Sequence, residues 1–136
     1  MENWDRKMSA VLESAKFLNK LNVIDIDFVN GSSLEVYVAM TKEDRSIGLS
    51  TLPYLDTDGM MFFYDQPSYN PFTVLDMGFD IDIAWYSRDG KCIKHGTFPA
   101  GMDSPIFSPK PYTYVVETLA NNLPKSDLKV SNVASI

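Results

Sequence analysis

Cysteine and histidine are nearly missing from this 136-residue chain, with Cys92 and His95 the sole representatives. A single cysteine cannot form a disulfide within the chain, so the fold must hold by its own core. Zinc sites usually need several Cys or His ligands, which this sequence cannot supply, and no metal is expected. On a strand, residues three apart point to opposite faces, which disfavours a Cys92–His95 dyad. No Gly-x-Ser-x-Gly elbow accompanies His95, and no glycine-rich phosphate loop is present. His95 is expected to be an ordinary strand residue near a sheet edge, and no cofactor is expected.

Long apolar runs are also lacking, and no stretch approaches the roughly 20 residues of a membrane-spanning helix. The first 20 residues mix acids with bases, unlike a secretory signal. A cytoplasmic or virion location is therefore expected. Basic residues are the minority: 12 Lys and Arg stand against 18 Asp and Glu, giving a net charge of −6. No basic cluster interrupts that excess, so nucleic acid and anionic membranes are poor partners.

What the chain does hold is concentrated between Gly59 and Gly90, where eight of its 17 aromatic residues lie. Three apolar runs, 60–64, 71–77 and 79–86, are each bounded by Gly, Pro, Asn or Asp. Each is expected to be a buried or half-buried strand. Arg88-Asp89-Gly90 reads as a turn, with 91–98 returning as the hairpin partner of 79–86.

Upstream, Trp4, Met8, Val11, Ala15 and Leu18 recur at alternating spacings of four and three, predicting an amphipathic helix over 3–21. It either packs on its own sheet or serves as an arm for another subunit. Ile24, Ile26 and Phe28 form the apolar face of a strand over 23–29. Asn30-Gly31 turns it into a return strand over 34–40. Thr41 heads a short helix that Gly48 stops, and 49–58 reads as loop. Four prolines between 99 and 111 mark a surface loop, and 112–119 reads as a further strand. Together these signals predict an α+β fold. It is a curved or barrel-like, mostly antiparallel sheet with an N-terminal helix and one short inner helix. The helix, 1–21, is read as an arm on a β-rich domain, 22–136.

In order and spacing the chain resembles the DUF192 family, over about residues 34–133. Thr41, Arg45, Gly48 and Leu49 match its Thr-led helix, and Gly59-Met60-Met61-Phe62 matches its Gly-Met-apolar-Phe. Ile81-Asp82-Ile83 and Tyr114-Val115-Val116-Glu117 match two of its strands. The family's Trp-Met-x-Asn motif is replaced here by Thr73-Val74-Leu75-Asp76, and its terminal Gly-Asp by Ser131-Asn132. The resemblance implies a small β-rich domain and a structural ion pair between Arg45 and Glu117. It implies no reaction, and the departures imply an altered site wherever the family binds a ligand.

Asp76, Asp80 and Asp82 do not have the spacing of a calcium loop, and Asp80 and Asp82 alternate with apolar neighbours as strand residues do. With no catalytic constellation, the preferred expectation is a non-catalytic structural or interaction protein. It would be a self-associating chain or a subunit of an assembly such as a phage virion. Its protein partners would be met by Trp4, Met8, Val11 and Leu18. The alternative is a small-molecule or glycan-binding domain with a cleft near 64–76, where Tyr64, Tyr69, Phe72 and Asp76 would contact ligand. A carboxylate-dependent hydrolase is the third reading.

Overall fold

The computed structural model describes residues 2–75, 77–131 and 133, and all of their side chains except those of 2–7, 49 and 50. The Asn30-Gly31 hairpin forms as its residues dictate. Strands β1 (Asn22–Phe28) and β2 (Ser33–Ala39) pair antiparallel with Ile26 opposite Leu34, and Gly31 takes a φ of 93°. Ile26 and Phe28 are fully buried and Ile24 half-buried, on the predicted face. Thr41 Oγ1 then accepts the Asp44 N–H at 3.0 Å and caps α2 (Lys42–Gly48).

The loop expected over 49–58 opens instead with a 3-10 helix, Leu49–Tyr54. Pro53 hid it from a sequence reading, yet the fixed φ of proline suits a tight helical turn. With α2 this helix makes the crossover that lets β3 (Gly59–Ser68) lie parallel to β2. The first residue of β3 has to be glycine: a Cβ on Gly59 would sit 2.4 Å from the Glu117 carbonyl oxygen.

Strands β4 (Ile81–Tyr86) and β5 (Cys92–Phe98) form the second predicted hairpin, with Gly90 at φ 87° in its turn. Strand β6 (Tyr112–Leu119) inserts between β4 and β3, and the two-residue β7 (Leu128–Lys129) pairs with β1. The sheet order is β5-β4-β6-β3-β2-β1-β7, antiparallel except for β2–β3. The run 71–77 is not a strand. Pro71 lacks the N–H of a ladder residue, and the segment contributes only a bridge between Phe72 and Ile106.

Every residue of β4, and of β6 as far as Thr118, is buried on both faces of the sheet. Two apolar layers account for this. The inner one gathers Ile26, Phe28, Val36, Met61, Tyr86 and Val116 from strands far apart in sheet order, so it lies inside a nearly closed barrel. The outer one holds Met60, Phe62, Ile83, Trp85 and Val115 beneath Leu18, Leu52, Val74 and Ile106. The seam between the β4–β5 hairpin and the C-terminal segment is sewn by polar contacts. Leu128 N–H donates to the Gly90 carbonyl at 2.8 Å, and Cys92 N–H to Asp127 Oδ1 at 2.8 Å. His95 Nε2 lies 3.2 Å from the Leu123 carbonyl, which gives this edge histidine a structural task.

Helix α1 (Glu2–Leu18) docks on the domain by its C-terminal end, where Leu18 is buried in the outer layer beside Phe17 and Leu21. Met8, Val11 and Leu12 remain 47%, 44% and 57% exposed. Among the described residues, no helix is long and apolar enough to cross a membrane.

Candidate functional site

Three segments converge on an open cleft of about 580 Å3. Helix α2 presents Lys42, Arg45 and Ser46, which the i, i+3, i+4 spacing places on one side of a helix. Strand β3 presents Phe62 and Tyr64, two residues apart and so on one face. The segment 70–73 forms the remaining wall, with Phe72 as its largest side chain.

That third wall has no secondary structure, but it is well anchored. Tyr112 Oη donates to the Asn70 carbonyl at 2.6 Å, and Phe72 exchanges backbone hydrogen bonds with Ile106 at 2.9 and 2.7 Å. The Phe72 ring meets Phe62, Trp85 and Tyr112 at centroid distances of 6.0, 5.8 and 6.0 Å. Tyr64 stands edge-on to Tyr112 at 5.1 Å. Edge-to-face aromatic pairs each add about 0.5–1.5 kcal/mol beyond area burial, so the wall is held without a sheet ladder.

Arg45 is the fixed charge of the cleft. Its Nη1 donates to the carbonyls of Met40 at 2.6 Å and Phe63 at 3.0 Å, and its guanidinium carbon lies 4.2 Å from the Tyr64 ring centroid. Burial pushes the Tyr64 phenol well above its usual range, with Arg45 opposing the shift, so the ring stays neutral at physiological pH.

The expected Arg45–Glu117 ion pair does not form. By register Glu117 lies between Met60 of β3 and Ile83 of β4, four residues of β3 away from Tyr64. At ~3.3 Å per residue that offset is about 13 Å along the strand, and among the described residues no ion pair joins Glu117 to Arg45. Glu117 is fully buried in the outer layer, and neither carboxylate oxygen has a hydrogen-bond partner among the described residues. Burial pushes its carboxyl well above the ordinary range, which makes it a neutral acid in the folded protein.

Of the ligand residues expected from sequence, Tyr64 and Phe72 meet at the cleft. Tyr69 is 62% exposed and does not line it, and Asp76 lies outside the described residues. Of the expected interface residues, Met8 and Val11 are exposed, Leu18 is buried in its own domain, and the Trp4 side chain lies outside the description. Asp80 and Asp82 are occupied by the fold: Asp80 Oδ1 accepts Ala100 N–H at 2.8 Å, while Asp82 accepts Thr97 Oγ1 at 2.6 Å and Leu123 N–H at 3.2 Å. Among the described residues, no three His, Cys, Asp or Glu side chains are grouped to hold a metal. Sequence reasoning passed over Lys42, Ser46 and Asn70. The helical spacing of 42, 45 and 46 was the available signal for the first two.

A nearly closed β-barrel with an aromatic and cationic cleft at the α2–β3 corner is thus the architecture to compare with other proteins. Residues 26–136 match the DUF192 family, described as an uncharacterized ACR, and the chain belongs to that family. Two solved structures share the fold at 19% identity. One is a candidate transcription regulator from Sinorhizobium meliloti 1021, with a TM-score of 0.62 over 80% of this chain and 92% of that one. The other is a protein of unknown function from Novosphingobium aromaticivorans DSM 12444, with a TM-score of 0.65 over 80% of this chain and 83% of that one. No curated protein matches the chain.

Proposed function

We propose that this protein is a non-catalytic small-molecule-binding domain whose site is the cleft between α2, β3 and the 70–73 segment. The observation that carries the reading is the packing of that wall: Phe72 and Tyr64 line the cleft from a preset aromatic network. A cleft with apolar rings and a few placed polar groups is the usual form of a ligand site. Its nine described lining residues include no carboxylate, imidazole or thiol to act as a general base, which favours binding over chemistry. Amide-shift mapping of a small-molecule library on the labelled protein tests this. Binders should perturb 42–46 and 62–73 and lose affinity in Tyr64→Ala. A library that yields no binder there would overturn the reading.

A second reading, a subunit of a larger protein assembly such as a virion, is supported by α1. Met8, Val11 and Leu12 leave an apolar surface open on a helix whose other end is docked. Light scattering tests self-association directly.

A further inference from the structure

We infer that the cleft ligand is a small oxyanion, a carboxylate or phosphate carried on an apolar or aromatic body, a deduction that rests on the binding reading above. Charge is the first argument. The nine described lining residues include two cations, Lys42 and Arg45, and no acid, in a chain with 18 acids and 12 bases. A local positive site on an acidic protein attracts anions to that site in preference to the rest of the surface.

The state of Arg45 is the second argument. Among the described residues the ion pair is Lys91–Asp127, neither of which lines the cleft, and no carboxylate lies within ion-pairing distance of Arg45. Its two Nη1 hydrogens match the two carbonyls of Met40 and Phe63. The Nε–H and Nη2–H edge is not taken up by those bonds. That edge binds the paired oxygens of a carboxylate or phosphate in a fork. Because the guanidinium is already held by backbone and ring, little side-chain freedom is lost when an anion binds. Lys42, exposed on the rim, adds a second, mobile charge, and Tyr64 and Phe72 offer the surface for the apolar body.

The test uses the full chain, labelled with nitrogen-15 and titrated with benzoate, phenyl phosphate and benzyl alcohol. At least one anion should shift the Arg45 Nε–H resonance and the amides of 62–73, and bind about tenfold or more tightly than the alcohol. Comparing the two anions tells a carboxylate site from a phosphate site. Lys42→Glu, an exposed change that leaves the core alone, should weaken the anions several-fold and the alcohol much less. If the alcohol binds the cleft as well as the anions, or Lys42→Glu changes nothing, anion recognition is wrong while the cleft stands. If none of the three probes moves the cleft residues, both readings fail together.

Discussion

Phe28 of β1 and Tyr86 of β4 touch inside the barrel, ring centroids 6.4 Å apart, although three strands separate β1 from β4 in the sheet order. Only a sheet that curls back on itself brings such residues together. Phe28→Ala should therefore cost about 3–5 kcal/mol in a denaturant titration, by lost transfer energy and the cavity left behind. Val29→Ala, at a 61% exposed neighbour, should stay within about 0.5 kcal/mol. Tyr86 has a buried hydroxyl without a partner among the described residues, so Tyr86→Phe should gain about 1 kcal/mol.

Glu117 predicts an unusual pH dependence. Its folded pKa is raised, so the folded state keeps a proton that the unfolded chain releases above the ordinary Glu range. Its contribution is fully present below the unfolded pKa and is lost as pH rises toward the folded one. The expected slope is about −1.4 kcal/mol per pH unit in that window. Glu117→Leu should remove this slope, raising stability at pH 7 with the gain shrinking as pH falls toward the unfolded value. Melting temperatures of both proteins across that range decide it; parallel curves would mean the carboxyl is solvated or paired.

Asp127 joins both sides of the seam. Its Oδ1 accepts the Cys92 N–H, its carbonyl accepts the Val29 N–H at 2.9 Å, and Oδ2 lies 3.7 Å from Lys91 Nζ. The exposed ion pair should matter little. Removing the acceptor of a half-buried N–H should cost about 1–3 kcal/mol. Asp127→Ala should thus destabilise by that amount and speed hydrogen exchange at Cys92, whereas Lys91→Ala should change neither.

Helix α1 divides into two parts with opposite expectations. Leu18→Ala removes a buried side chain and should cost about 2–5 kcal/mol. Deleting residues 1–14 removes no buried side chain among the described residues and should leave the melting temperature within a few degrees. If the assembly reading holds, the deletion also abolishes self-association or partner capture in light scattering and pull-down. Loss of the fold on that deletion would show that the N-terminal turns belong to the core.

Local signals were readable where a residue type dictates geometry. Asn30-Gly31, Thr41 at the head of α2 and Gly90 fixed two hairpins and a helix start from sequence alone. The parallel β2–β3 pair could not be read, because nothing local says that α2 and a proline-containing 3-10 helix act as a crossover. The short β7 was missed too: two residues carry no periodicity, and they pair only because β1 offers an edge. At the site, Tyr64 and Phe72 announced themselves as clustered aromatics. The separation of Arg45 from Glu117 depends on strand register, which residue types do not encode locally.

Phe28 and Leu128 are sheet partners 100 residues apart, and they pair the last two strands of the sheet order. Non-local pairings of this kind slow folding, because the loop must be closed before the contact is gained. A chain emerging from the ribosome can complete both local hairpins long before Leu128 exists. Until then the β1 edge lies open at Asp27 and Phe28. An unpaired, apolar strand edge is a site for wrong pairing between nascent chains. The last step of the fold is thus also its most exposed moment, and chaperone demand during synthesis should fall once β7 has been made.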